Sequence, residues 1–172
     1  MTRRAVRVGL EAGLHVALLG LVVWATGQPF VFPSLGPTAF ALVSSRKNVS
    51  AREVLGGHLC GVIAGLAAYH AVASGLEITD PLAPFSAGGL RLAASAALSV
   101  ALTAAAMVAT RTVHPPACAT TLIVSLGVLS GLAEAGIILA AVALMYGGHR
   151  LWERAGRGDQ RASAGEGRGR GG

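Results

Sequence analysis

Two consecutive prolines, Pro115 and Pro116, stand directly after His114 and at the beginning of a long apolar run. Proline lacks the N–H group that a helix interior needs, and the residue before a proline is pushed toward extended geometry. Both prolines fit the first turn of a helix, where their N–H groups would have no partner within the helix. The sequence therefore predicts that the chain is broken at His114 and that a new helix starts at the prolines.

A second stretch contains three closely spaced prolines, Pro29, Pro33 and Pro37, among apolar residues. A continuous helix is not expected there, yet the stretch is too apolar for an ordinary surface loop. An extended part over residues 29–33 would cover roughly 16 Å, and a helix over residues 34–45 would add roughly 18 Å. Because the hydrocarbon core of a bilayer is about 30 Å thick, we expect a broken crossing whose helix is capped by Ser34.

Hydrophobic residues make up 53% of the chain and charged residues only 13%. Four further segments are long and apolar enough to predict full crossings, at residues 8–26, 53–75, 88–110 and 132–146. The predicted fold class is therefore an all-α membrane protein, a helical bundle of four full transmembrane helices and two broken half-helices. A sizeable soluble domain is excluded.

The formal net charge is +6, and all lysines and arginines except Arg91 lie outside the four predicted spans. Apart from Trp152, no aromatic residue is interleaved with them, so the charge does not indicate nucleic-acid binding. If both broken segments cross, the positive-inside rule places residues 1–7, the connector 46–52, Arg111 and the tail on the cytoplasmic side. We therefore expect six crossings, a multi-pass protein of the cell membrane, and cytoplasmic termini. The Gly- and Arg-rich tail 151–172 is expected to be disordered.

The two halves of the chain contain the same order of elements. Placing residues 36–39 on residues 115–118 aligns the two broken segments, and it also brings the first full span onto the third and the second onto the fourth. The predicted transmembrane domain covers residues 8–150, with repeat 1 at about 8–75 and repeat 2 at about 88–150. Three crossings per half would make the halves antiparallel, which is the inverted repeat common in secondary transporters.

In an inverted repeat the two broken helices enter from opposite faces, so their N-termini converge inside the bilayer. Free amide N–H groups and positive dipole ends would border one cavity without a nearby acidic residue, and this suits a small anion. Hydroxyl groups would add donors, and His58 or His114 would supply a titratable donor. The predicted substrate-binding residues are Ser34, Leu35, Gly36, Thr38, His58, His114, Ala117 and Cys118. The predicted structural residues are Pro33, Pro37, Gly56, Gly57, Pro115 and Pro116.

These residues also have purely structural interpretations. Prolines and glycines can serve only tight packing, and three glycines recur at a spacing that lets helices approach closely: Gly57, Gly61 and Gly65. His58 can be a hydrogen-bonded packing histidine. His15, which lies four residues after Glu11, can be a buried histidine or part of a proton relay. Cys60 and Cys118 lie in apolar segments without metal-ligand spacing, so no metal or cofactor is expected.

Three motifs occur in order along the chain: Pro33-Ser34-Leu35-Gly36-Pro37-Thr38-Ala39, Gly56-Gly57-His58 and His114-Pro115-Pro116. Together they resemble the HPP family of integral membrane proteins, and the resemblance covers about residues 8–150. Plastid members of that family have been implicated in nitrite transport, so the resemblance implies nitrite as a candidate substrate. Family descriptions count four spans, whereas the charge distribution of this chain favours six crossings.

The sequence therefore predicts a transporter or channel for a small inorganic anion, with nitrite as the leading candidate. The bilayer and the anion are the expected partners; proton coupling and a homo-oligomer are further expectations. The alternative is a structural or sensory membrane subunit that acts with a partner. An enzyme is not expected, because His15, His58 and His114 have no helix-compatible ligand spacing and no accompanying carboxylate in a recognisable motif.

Overall fold

The computed structural model describes residues 2–45 and 49–169, and every regular element among them is helical. The helices are α1 (Arg3–Thr26), α2 (Val31–Ser44), α3 (Ala51–Ala68) with a π-helical extension (Tyr69–Ala73), α4 (Ala87–Thr110), α5 (Ala117–Ser125) and α6 (Leu132–Gly169). Nothing is described of the side chains beyond residue 155.

Four parts of these helices are long and apolar enough to cross a membrane, by length and composition: Arg4–Thr26, Ala51–Ala73, Ala87–Thr110 and Leu132–Ala155. The apolar helix α2 is shorter, and α5 has only 9 residues. The predicted fold class, with four full helices and two short ones, is confirmed. The backbone of α6 continues as helix into the segment 151–172, whose predicted disorder stays a prediction.

Hydroxyl side chains fix the beginnings of the long helices. The Thr2 side chain accepts a hydrogen bond from the backbone of α1, and the Ser86 side chain does the same for α4. At α3, Ser50 accepts from the backbone N–H of Glu53, while the Glu53 carboxylate accepts from the backbone N–H of Ser50. This capping box satisfies two donors at once and sets the point at which α3 begins.

The segment 112–126, which contains α5, runs alongside α3 in the same direction. Four glycines of α3 contact it in order: Gly56 lies against Thr112, Gly57 against His114, Gly61 against Ala117 and Gly65 against Val124. At its other end, the Leu126 carbonyl accepts from the N–H of Ile78 at 3.0 Å, beyond the last turn of α3. The segment therefore extends along the whole of α3, although only 9 of its residues are in α5.

Three hydrogen bonds identify the helix ends that lie together: Trp152 to Glu11 (3.4 Å), Tyr146 to the carbonyl of Val49 (3.2 Å) and Arg52 to the carbonyl of Thr110 (2.9 Å). One end of the bundle therefore contains the beginnings of α1 and α3, the end of α4 and the second half of the apolar part of α6. We call it the basic end, because Arg7, Arg52 and Arg150 lie there.

Helix contacts divide into an outer and a central set. Helix α1 packs against α2 and α6, and α4 packs against α5 and α3. Helices α2 and α5 pack against each other at the centre, where α2 also contacts α6, α5 contacts α3, and α3 contacts α6. The apolar core follows this arrangement and includes Leu35, Val62, Val124, Ile138 and Val142.

The start of α2 differs from the prediction. The helix begins at Val31, and the N–H of Ser34 donates to the Phe30 carbonyl at 3.3 Å, so Ser34 is inside the helix and does not cap it. The prediction of an extended part over residues 29–33 is therefore wrong. Pro33 is compatible with the first turn of the helix, because the N–H that proline lacks would have no partner within the helix there. Pro37 lies in the helix interior. The helix alone is about 21 Å long.

The glycine contacts of α3 generate a stability prediction. A Cβ added at Gly61 would lie 2.9 Å from the backbone carbonyl oxygen of Ala117, which cannot move without shifting α5. We expect Gly61→Ala to lower the free energy of unfolding by about 1–3 kcal/mol, measured as a lower midpoint of thermal unfolding in detergent. Gly13→Ala is the control, because a Cβ at Gly13 of α1 meets nothing within 4 Å. An unchanged midpoint for Gly61→Ala would contradict the close packing of α3 and α5.

Candidate functional site

Five buried polar side chains form one hydrogen-bonded series where α2, α3 and the segment 112–126 meet. The bonds join Ser34 Oγ to Thr120 Oγ1 (2.8 Å), Thr120 Oγ1 to His58 Nδ1 (2.8 Å), His58 Nε2 to Thr38 Oγ1 (2.9 Å) and Thr38 Oγ1 to His114 Nε2 (3.4 Å). His114 is 3% exposed and the other four are 0% exposed. We call this series the central polar chain.

Its residues come from parts of the sequence that are far apart. Ser34 and Thr38 are one helical turn apart and so lie on the same face of α2. Ser34 meets Thr120, whereas Thr38 meets His58 and His114, so α2 runs antiparallel to the segment 112–126. The two proline-containing segments thus cross at the polar chain, and α3 contributes the histidine between them.

The position of His114 is fixed by a backbone hydrogen bond to α4 and by close packing against α3. Its backbone N–H donates to the sulfur of Met107 in α4 at 3.4 Å. A Cβ at Gly57 would come within 2.7 Å of the His114 Cβ, so the absence of a side chain at Gly57 leaves the room that His114 occupies. The rings of His58 and His114 are 5.4 Å apart between centroids and tilted by 56°.

If every bond points the same way along the series, the hydrogen bonds of the central polar chain have two possible directions. A neutral histidine has one N–H donor and one nitrogen acceptor. In one direction His114 donates to Thr38, Thr38 donates to His58, His58 donates to Thr120, and Thr120 donates to Ser34. In the other direction both histidines are in the opposite tautomers and every bond is reversed. Passing a proton from one end to the other converts the first direction into the second.

Further buried hydroxyls surround this series and already have partners. Thr121 donates to the Gly61 carbonyl at 2.5 Å and contacts the Thr103 hydroxyl at 2.5 Å. Ser95 of α4 donates to the Ser125 carbonyl at 2.8 Å. These bonds join α3, α4 and α5 beside the central polar chain.

The predicted site residues divide into two groups. Ser34, Thr38, His58 and His114 are brought together in the central polar chain. Leu35 belongs to the apolar core, Ala117 is buried against α3, and Gly36 and Cys118 are half-buried outside the series. Of the predicted structural residues, Gly56 and Gly57 contact the segment 112–126, Pro116 directly precedes α5, and Pro33 and Pro37 lie within α2.

The backbone amides at the two helix starts are already bonded, contrary to the prediction of free N–H groups. In α5 the N–H groups of Ala117, Cys118 and Ala119 donate to the carbonyls of His114, Pro115 and Pro116 at 2.9–3.0 Å. In α2 those of Val31, Phe32 and Ser34 donate to Gln28, Pro29 and Phe30 at 3.1–3.3 Å. The turn before each helix supplies these carbonyls. A ligand at this place would therefore meet side-chain donors.

Thr120 is the member of the central polar chain that the sequence did not identify. It bridges Ser34 and His58 and is completely buried. The available signal was the pair Thr120-Thr121 inside the apolar run that follows the prolines. Helical spacing from Pro116 places Thr120 on the same face as the start of α5, but its partners on α2 and α3 depend on the tertiary arrangement.

Comparison with known proteins gives one match. The family described as "HPP, transmembrane region" matches residues 1–154 of the chain. No curated protein and no solved structure matches. Among the side chains that the structure describes, no group of three or more from His, Cys, Asp or Glu is placed to hold a metal ion.

The bridge at Thr120 generates a prediction. Thr120→Val removes the hydroxyl but keeps the volume, and it leaves His58 Nδ1 and the Ser34 hydroxyl buried without this partner. We expect a loss of about 1–3 kcal/mol in the free energy of unfolding, measured by thermal unfolding in detergent. Thr120→Ser keeps the hydroxyl and should lose less. An unchanged unfolding midpoint for Thr120→Val would show that the hydrogen bonds of Thr120 do not stabilise the protein.

Proposed function

The chain belongs to the HPP family of transmembrane proteins, and from this premise we propose that it transports a small inorganic anion, with nitrite as the leading candidate. It is a multi-pass membrane protein. The observation that carries the proposal is the central polar chain, which lies where two proline-containing segments cross in an otherwise apolar bundle. Buried polar and ionisable side chains in membrane proteins are costly and commonly mark substrate or ion pathways.

The chemistry of the central polar chain favours an anion over a cation. Its members supply hydroxyl and imidazole groups, and none of the five is a carboxylate. Hydroxyls and imidazole N–H groups donate hydrogen bonds to oxygen atoms such as those of nitrite. An anion entering between Thr38 and Thr120 would replace the acceptors that these donors now have, and the His58 nitrogen that loses its donor would then need a proton.

A proton would make this exchange favourable. A neutral His58 has one donor and one acceptor nitrogen, so it offers an anion only one N–H group. Once protonated, His58 has two N–H donors and a positive charge, and a bound anion would neutralise that charge in the low-dielectric interior. Among the described residues, the His58 and His114 rings lie 5.4 Å apart between centroids, and Glu53 at the start of α3 acts electrostatically on His114. We therefore propose that anion and proton move together.

The helix contacts support an inverted-repeat arrangement for this transport. Exchanging α1 with α4, α2 with α5, and α3 with α6 turns each of the helix contacts described above into another of them or leaves it unchanged. The pairs α2–α5 and α3–α6 are each exchanged with themselves, and α2–α5 lies at the centre. Such a pseudo-two-fold arrangement would let one half rock against the other around the central polar chain, which is alternating access. In this proposal both short helices belong to crossings.

A structural or sensory role is the second candidate, and one observation favours it. Each side chain of the central polar chain has a partner within the protein, so the series can serve simply to join α2, α3 and α5. Flux through liposomes that contain only the purified chain separates the two candidates, because a subunit without its partner would transport nothing.

We expect proteoliposomes with the purified chain to take up nitrite faster than protein-free liposomes. His114→Ala and Ser34→Ala should each slow uptake about tenfold, because one lost hydrogen bond of about 1.4 kcal/mol in the rate-limiting state corresponds to that factor. The matched controls are Ser99→Ala, whose hydroxyl donates to the Ala96 carbonyl in its own helix, and His70→Ala, which is exposed.

Two results would contradict this proposal. If the His114 and Ser34 variants transport as fast as the parent chain, the central polar chain is not the site. If the parent transports none of nitrite, nitrate, formate and chloride, the structural or sensory role is favoured.

Proton coupling gives a separate prediction about driving forces. With the voltage clamped by potassium and valinomycin, an acidic outside should accelerate nitrite uptake, and a protonophore should abolish the acceleration. One proton and one anion carry no net charge, so a change of voltage at equal pH should have little effect. Passive entry of nitrous acid is subtracted by using protein-free liposomes. Uptake that follows voltage and ignores the pH gradient would indicate an uncoupled anion channel.

A further inference from the structure

A second histidine pair lies at the basic end of the bundle, away from the central polar chain. His15 of α1 and His149 of α6 have ring centroids 5.2 Å apart and planes tilted by 53°. Each has a glutamate one helical turn nearer the basic end, Glu11 on α1 and Glu153 on α6. The proposed transport mechanism uses none of these four residues.

The tautomers of both rings follow from their neighbours. His15 Nδ1 lies 2.6 Å from the Glu11 carbonyl oxygen, which can only accept, so Nδ1 carries the hydrogen and Nε2 carries a lone pair. His149 Nε2 lies 3.7 Å from a carboxylate oxygen of Glu153, which favours a hydrogen on Nε2 and a lone pair on Nδ1. Each ring thus has a second nitrogen, which carries a lone pair and does not take part in these contacts.

Both remaining nitrogens are buried and have no hydrogen-bond partner. They are His15 Nε2 and His149 Nδ1, and they are the two side-chain polar atoms in this condition among the described residues. His15 is only 5% exposed. A buried polar atom without a partner destabilises the folded protein. Two such atoms on adjacent, facing helices indicate a ligand that both lone pairs can bind.

We infer that His15 and His149 form a binding site for a late first-row transition-metal ion of the Zn²⁺ class. Neutral imidazole nitrogens suit such ions, whereas Mg²⁺ and Ca²⁺ prefer oxygen ligands. A metal-binding histidine almost always donates its other N–H to a backbone carbonyl or a carboxylate, which fixes the tautomer. His15 donates in this way to the Glu11 carbonyl, and His149 faces the Glu153 carboxylate.

The ring geometry fits this ion. With a metal–nitrogen distance of about 2.0–2.1 Å and a tetrahedral angle, two imidazole centroids bound to one ion are about 5 Å apart. The observed separation is 5.2 Å. Two protein nitrogens leave the remaining positions to water, which agrees with the lack of any group of three protein ligands in the described part of the chain.

Each of the two glutamates accepts a hydrogen bond from an arginine. The Glu11 carboxylate accepts from Arg7 at 2.7 Å, and the Glu153 carboxylate accepts from Arg150 at 3.3 Å.

The test uses the full chain, purified in detergent without a polyhistidine tag. Titration with Co²⁺ should give the visible absorption bands of a tetrahedral nitrogen-coordinated ion at one ion per chain, and Zn²⁺ should displace it. His15→Ala and His149→Ala should each abolish the bands. Glu153→Gln should weaken binding about 10–100-fold, because it removes the carboxylate that the His149 N–H faces. His70→Ala, at an exposed histidine, is the matched control.

Two outcomes would overturn the inference. One is a parent chain that binds neither Co²⁺ nor Zn²⁺ stoichiometrically. The other is binding that persists in both histidine variants while each variant elutes as a folded monodisperse protein. The first outcome needs no variant, so misfolding of a variant does not weaken the test. Neither outcome bears on nitrite uptake, which is measured separately.

Discussion

The close contact between the glycine face of α3 and the segment 112–126 determines where the polar groups of the bundle centre lie. Side chains at Gly57 and Gly61 would collide with the Cβ of His114 and the carbonyl of Ala117. Because no side chain is present there, a partly non-helical segment packs against a helix over its full length. In an apolar interior such a segment is tolerated only when its backbone groups are bonded, and its turns bond them internally.

Much of the fold could be predicted from the sequence because its signals are local. Length and hydropathy identify the four long helices, and the prolines identify the two short ones. The start of α2 was predicted wrongly, since Pro33 is compatible both with an extended strand and with a first helical turn. The bonded state of the amides at both helix starts depends on how the preceding turns close, and a pattern of residue types does not specify that.

The candidate site could be predicted where polar side chains interrupt apolar segments of the sequence. His58, His114, Ser34 and Thr38 are conspicuous in this way, and the structure brings them together. Thr120 and His149 were missed for a different reason. Their partners are 62 to 134 residues away along the chain, so only the packing of helices reveals them. The two histidine pairs differ because hydroxyls bond to the central one, while no described hydroxyl bonds to His15 Nε2 or His149 Nδ1 at the basic end.

Thr38 stands between two imidazoles but has a single hydrogen to give. It can donate to His58 or to His114 but never to both, so at least one of the two rings must present an N–H to it. A change in which ring donates requires no helix displacement: rotation of one hydroxyl and a change of tautomer suffice. The two serial directions of the bonds have the same heavy-atom positions and differ only in the location of hydrogens.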